Sequence, residues 1–293
     1  MSFLDDIKHQ FSSSNSLIKL LYINAGVFLI TIILTLIGFL INKPVFHLTE
    51  WFAVPASFSE LIYKPWTPLT YMFLHEGLWH ILFNMLMLYF TGVIFNQYLG
   101  ENKITSVYIL SGLSGAAIYL LAYNIFPVFA LEKEVAVCLG ASASVIGILV
   151  ATATYVPNLE VRLFGILPVK LKWIAIVLIL LDFINLPKDG NAGGHIAHLG
   201  GAIFGFLFVT QYRKGNDISK GFSIFLEKVK NLFSFKKKSK LKVKYTSSTK
   251  TNSTKEINQQ AKVDAILDKI SKSGYDSLSK EEKEFLFNIN KNS

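Results

Sequence analysis

Four polar residues stand where an apolar chain accommodates them least: His80, Asn84, Ser142 and His198, each close to the start of a long apolar run. Polar side chains at membrane depth are costly and are therefore functional candidates. A serine and a histidine are enough for nucleophilic hydrolysis, because a hydroxyl attacks poorly until a base removes its proton. The oxyanion that then develops needs hydrogen-bond donors. His80 and Asn84 stand at i, i+4 and share one helix face. The backbone N–H groups of a first helical turn are also unbonded, which makes the amide of Ser142 a further donor. Gly140, two residues earlier, lets the chain turn tightly into that helix.

A second serine, Ser144, competes for the role. Two residues along a helix is about 200° of rotation, so at most one of the pair faces His198. Ser142 lies in the first turn with free donors, whereas the deeper Ser144 can bond back to the carbonyl four residues before it. Chemistry is assigned to Ser142 and packing to Ser144. Two ridges of small residues support a close approach of their helices: Ala143, Gly147 and Ala151 on one, Ala197, Gly201 and Gly205 on the other. Ridges of this spacing let membrane helices pack backbone to backbone. Gly140, Gly147, Gly201 and Gly205 are thus expected to set the packing near the site.

No metal centre is expected. His75 and His80 are five apart, whereas the zincin helix needs two histidines at i, i+4. His195 and His198 are three apart and face the same way, but no third ligand is evident from the sequence. Asp182 is the one carboxylate placed to complete a serine–histidine–aspartate triad, and it is read as structural or gating instead.

These residues must be held by membrane helices. The chain is 52% hydrophobic over 293 residues, which points to a polytopic membrane protein. Six stretches approach the roughly 20 residues a span needs: 17–42, 75–98, 104–126, 139–156, 170–186 and 195–212. The second, fourth and sixth run in the same direction, so His80, Ser142 and His198 fall at similar depth toward the outer leaflet. Residues 1–212 hold 10 Lys/Arg and 11 Asp/Glu, and residues 213–293 hold 19 and 9. The positive charge therefore belongs to the tail. A basic block directly after the last apolar run reads as a cytoplasmic anchor on anionic lipid rather than a nucleic-acid surface. With an even number of spans, both termini are expected in the cytoplasm. The single cysteine excludes an internal disulfide.

The connection at 43–74, with Trp51, Pro55, Pro65 and Trp66, is expected to be structured and to lie in the outer interface, where Trp and Tyr are favoured. The expected divisions are an N-terminal cytoplasmic segment (1–16), a six-helix membrane domain (17–212), a basic juxtamembrane segment and linker (213–258) and a small helical hairpin (259–293). In the hairpin, Ser279-Lys280-Glu281-Glu282 has the form of a capping box.

Taken together, the pattern resembles the rhomboid family of intramembrane serine proteases. The resemblance rests on Trp66-Thr67, on His75 with His80 to Asn84, on Gly140-Ala141-Ser142, and on Ala197-His198-Leu199-Gly200-Gly201 with Gly205. It covers about residues 15–212 and implies an all-α, six-helix bundle with a structured first loop and a cytoplasmic helical tail. It implies a Ser142–His198 dyad with no essential aspartate. His80, Asn84 and the Ser142 amide would form the oxyanion hole. The implied substrates are single-span membrane proteins, cut near the outer end of the span with no cofactor, and the implied setting is a bacterial inner membrane. The tail resembles a C-terminal module of some bacterial rhomboids. Three positions depart from the family pattern: Thr67 stands for arginine, Ala143 for glycine, and Ile146 for an aromatic that stacks on the histidine. The last leaves His198 less firmly oriented and implies lower activity or narrower specificity. The rival reading is an inactive rhomboid-like protein that binds transmembrane helices. A small transporter would call for an internal repeat, and none is apparent.

Overall fold

The computed structural model describes residues 11, 13–42, 48–163, 165–188, 190–233 and 252–290. The chain divides into two compact units, Met1–Phe235 and Lys236–Ser293. The first unit is built on α1 (Ser16–Leu40), α5 (Leu78–Leu99), α6 (Glu101–Ile125), α7 (Ser142–Tyr155), α8 (Leu171–Asn185) and α9 (Ala192–Arg213). Short helices α2 (Leu48–Phe52), α3 (Phe58–Tyr63) and α4 (Thr67–Thr70) lie between α1 and α5. Of the six principal helices, α1, α5, α6 and α9 are long and apolar enough to cross a membrane. The other two are shorter, α7 with 14 residues and α8 with 15.

The brevity of α7 follows from its surroundings. It is buried along nearly its whole length, from Ala143 to Ala153, whereas α1 presents mostly exposed apolar side chains. A helix enclosed by protein has neighbours at both ends and does not have to match the bilayer. Its small residues let α9 come close. A methyl group at Gly201 would fall on the carbonyl oxygen of Ala143, and one at Gly205 on that of Gly147. On the other side of α9, Ser114 Oγ of α6 donates to Gly200 O at 2.8 Å. The two ridges expected from the sequence do face each other, and they bring the start of α7 beside the first turns of α9.

The first loop is structured and partly buried, with Ala53, Val54 and Ala56 at 1% exposure or less. Within it β1 (Val54–Pro55) pairs antiparallel with β2 (Val137–Cys138), Val54 opposite Cys138. Asn124 Nδ2 donates to Ala56 O at 2.8 Å, Tyr71 Oη to Gly112 O at 2.6 Å, and Tyr108 Oη to Met72 O at 2.7 Å. Buried backbone carbonyls need such partners, so these bonds fix the loop against α6. Thr67 points inward, fully buried, with its hydroxyl on Lys64 O at 2.8 Å. It closes a turn here and does not face lipid.

Four expectations need correction. The fold is not wholly α-helical: besides β1–β2, a hairpin joins β3 (Glu160–Leu163) to β4 (Leu167–Lys170). Gly165 sits in its turn at φ +75°, which is a backbone conformation glycine adopts freely. His75 is not on α5, because the chain enters that helix only at Leu78, after Gly77 as N-cap. The region 213–258 is not only linker. It contains α10 (Lys220–Phe233), whose Phe222 and Leu226 pack against the core while Ser223 Oγ meets Ser106 Oγ at 2.7 Å. The N-terminal segment 1–16 and the rest of that linker lie largely outside the described residues. In the second unit, α11 (Asn252–Ser273) begins seven residues before the hairpin expected from 259, and α12 (Lys280–Asn290) follows. Its capping box is formed as read. Ser279 N donates to Glu282 Oε2 at 2.8 Å, and Glu282 N to Ser279 Oγ at 3.2 Å.

Candidate active site

Ser142 opens α7 after Gly140, whose φ of +132° turns the chain into the helix. Two constraints hold that turn: β2 is paired to the first loop, and Gly140 N donates to Tyr71 O at 3.0 Å. A side chain at Gly140 would be strained by its φ, and its Cβ would also stand 3.1 Å from His80 Nε2. The glycine therefore leaves room for His80 to approach the serine.

The Ser142 hydroxyl meets His198 Nε2 at 2.7 Å. On the far side of the ring, His198 Nδ1 lies 2.8 Å from Asp182 Oδ1. A carboxylate can only accept, so Nδ1 carries the proton and Nε2 presents its lone pair to Ser142 Oγ–H. That is the tautomer a base needs. The same Oδ1 also takes His195 Nδ1 at 2.8 Å. The sequence assigns Asp182 a structural or gating role and does not anticipate this contact with His198. This also revises the expectation from Ile146. That residue does line the cavity beside the site, but the carboxylate orients the imidazole where a stacked aromatic is missing. The sequence likewise offered no third ligand to join His195 and His198. The fold brings Asp182 to both, and the ligand atoms of the three lie within 4.8 Å of one another.

His80 and Asn84 line the same cavity of about 420 Å³, with Ser142 and His198. Glu76 N approaches His80 Nδ1 at 3.5 Å. An amide donating there leaves the ring proton on Nε2, the nitrogen nearest Gly140. Asn84 spends one amide N–H on His80 O at 2.9 Å and retains a second. His75 is buried beside His80, its ring edge-on at 5.1 Å between centroids. Ser144 is fully buried and faces Met72, with Oγ 3.9 Å from Sδ. It is remote from His198 in direction, as the rotation between the two serines demands, although its partner is a thioether and not the carbonyl expected. The arrangement can move a proton from a serine hydroxyl to an imidazole braced by a carboxylate. It also sets two side-chain donors across a cavity that would hold on the order of ten waters.

The family model described as "Rhomboid domain" matches residues 63–214, and a family of unknown function (DUF6576) matches residues 245–291. RHOMBOID-like protein 7 of Arabidopsis thaliana is 31% identical over 159 residues, 52% of this chain and 44% of its own length. RHOMBOID-like protein 12, mitochondrial, of the same plant is 27% identical over 157 residues, 51% of this chain and 47% of its own. Rhomboid protease AarA of Providencia stuartii is 28% identical over 153 residues, 48% of this chain and 53% of its own. The chain thus spans about half the length of the curated relatives it matches.

Proposed function

The chain belongs to the rhomboid family, an integral membrane protein, and we propose that it is a serine endopeptidase cutting within or near the transmembrane segment of single-span membrane proteins. The observation that carries this reading is the 2.7 Å contact between Ser142 Oγ and His198 Nε2, with Asp182 behind the ring. Ser142 attacks the scissile carbonyl carbon while His198 Nε2 takes its proton. The imidazolium so formed is stabilised by the Asp182 carboxylate through Nδ1. The tetrahedral oxyanion accepts hydrogen bonds from His80 Nε2–H, Asn84 Nδ2–H and the Ser142 amide. His198 returns the proton to the departing amine, the C–N bond breaks, and an ester to Ser142 remains. Water then attacks that ester, giving its proton to His198 and releasing the second product with the serine restored. On this reading Asp182 holds the tautomer of His198 and makes the mechanism a triad rather than a dyad.

Helix length supports the membrane setting. Fourteen residues of α7 rise about 21 Å, against a hydrocarbon core of about 30 Å. A helix that starts short of the outer boundary would put Ser142 below the surface, in a cavity that water would enter from outside. Six spans, both termini in the cytoplasm, a bacterial inner membrane and a basic tail on anionic lipid remain part of this proposal. A helix-binding protein without activity would have no need to bring Ser142, His198 and Asp182 into one chain of hydrogen bonds. Reconstitution in liposomes with a panel of single-span substrates tests the reading. Cleavage by the wild type and none by His198→Ala supports it, and intact substrates with folded wild type would return the binding protein to first place.

A further inference from the structure

His195 is not needed by the mechanism above, yet it bonds the same carboxylate oxygen as His198. Both Nδ1 atoms stand 2.8 Å from Asp182 Oδ1, and the two rings are perpendicular, 6.0 Å apart at their centroids. Two imidazole nitrogens and one carboxylate oxygen converging from adjacent helices form a cation-binding arrangement as well as a hydrogen-bonded one. We propose that Asp182, His195 and His198 form an inhibitory site for a zinc-like divalent cation, occupied at the expense of catalysis. The inhibitory half of this proposal rests on the serine-hydrolase reading of Ser142 and His198.

The geometry asks for side-chain rearrangement without a change of fold, since the three ligand atoms already lie within 4.8 Å of one another. Zinc binds histidine nitrogen and carboxylate oxygen at about 2.0–2.2 Å in a tetrahedron, which sets ligand atoms about 3.4 Å apart. Each Nδ1···Oδ1 contact would lengthen by about 0.6 Å on this basis, and the two nitrogens would settle at the same spacing by rotation of the imidazole side chains. The donor set favours zinc, nickel or copper over magnesium or calcium, which prefer all-oxygen shells. Three protein ligands leave the fourth position to water, as suits a reversible ligand. Of the three side chains, His198 lines the cavity, together with Asn191 and Gly194. The three side chains are 9–17% exposed.

The consequence for chemistry is a change of tautomer. A cation on Nδ1 takes the lone pair there, so the ring proton moves to Nε2 and the imidazole stays neutral. No proton is released overall. His198 Nε2 then becomes a donor facing Ser142 Oγ and can no longer accept its proton. Occupancy and base catalysis are therefore mutually exclusive at one ring.

The test uses full-length protein stripped with EDTA and titrated with Co²⁺, whose ligand-field bands report binding without turnover, alongside fluorophosphonate labelling at rising Zn²⁺. Saturable cobalt bands are expected in the wild type and in Ser142→Ala. His195→Ala and His195→Gln should weaken them by at least about tenfold, as loss of metal-site groups does. Labelling of the wild type should fall as Zn²⁺ fills the site, recover with EDTA, and ignore Mg²⁺. Each variant is compared with its own metal-free rate, and its inhibition should need correspondingly more Zn²⁺. Absence of saturable bands in labelling-competent wild type overturns the site and leaves the hydrolase reading intact. So do bands and inhibition unaltered in both His195 variants. Cobalt bands in folded wild type that never labels would support the site but overturn its inhibitory role together with the hydrolase reading.

Discussion

Replacing Asp182 with asparagine separates a triad from a dyad. In the wild type, Asp182 Oδ1 accepts from His198 Nδ1 at 2.8 Å. That bond gains its charge–charge character only when Ser142 gives up its proton and the ring becomes an imidazolium. Asparagine keeps an oxygen able to accept from Nδ1 and removes the negative charge. A hydrogen bond to a charged group is worth about 1.5–3 kcal/mol, and 1.36 kcal/mol is tenfold in rate. The expected loss is roughly 10- to 150-fold in the rate of fluorophosphonate labelling and in kcat/KM on a membrane substrate, with KM little altered. Asp182→Ala, which offers no acceptor, should lose more. Thermal unfolding in detergent, run beside the assay, identifies a variant that is merely misfolded. An Asp182→Asn protein that is folded and labels within about twofold of wild type would refute the reasoning and leave Asp182 a structural role only.

Other substitutions test the parts that position the site. Ser144→Ala should leave labelling intact, since Ser144 Oγ faces Met72; loss of labelling in a folded variant would reverse the assignment of the two serines. Gly201→Val should lower thermal stability by about 1–3 kcal/mol as overpacking does, because even its Cβ would fall on the Ala143 carbonyl; unchanged stability would contradict the close approach of α7 and α9. Tyr71→Phe removes the 2.6 Å bond to the Gly112 carbonyl, which keeps its partner within the helix, and should cost about 0.5–1.5 kcal/mol, read by thermal unfolding. Labelling should persist, because Gly140 N bonds the Tyr71 main chain. In the hairpin, hydrogen bonds from Lys269 and Ser279 hold the Glu282 carboxyl below its ordinary value. A depressed folded-state value means stability is present above the unfolded carboxylate range, near pH 4.3, and lost as the pH falls through the folded value. Hydrogen exchange of the full chain should show α11–α12 losing protection on acidification, and Glu282→Gln should remove that dependence.

The parts of the site legible in sequence are those with local spacing. Ser142 sits beside a ridge of small residues and His198 beside another, and the i, i+4 pair of His80 and Asn84 follows from helix geometry alone. The long spans announce themselves by apolar length, α1 most of all. The contact of Asp182 with the histidines was not legible because its partners are 13 and 16 residues away across a turn, a pairing that depends on how α8 leans on α9. One signal was available: an acid in an otherwise apolar helix needs a partner, and the next helix opens with two histidines on one face. The β1–β2 ribbon was hidden for a different reason. Two residues per strand carry no alternation, and what pairs Val54 with Cys138 is the buried course of the first loop. The helix α10 was masked by its lysines, which read as a charged tail until Phe222 and Leu226 are seen to share a face.

The most direct test of the central claim is mass-spectrometric mapping of the fluorophosphonate adduct on purified full-length protein, wild type beside Ser142→Ala and His198→Ala. A single adduct on Ser142 is expected in the wild type and none in either folded variant. An adduct on Ser144, or undiminished labelling of Ser142 in His198→Ala, would contradict it.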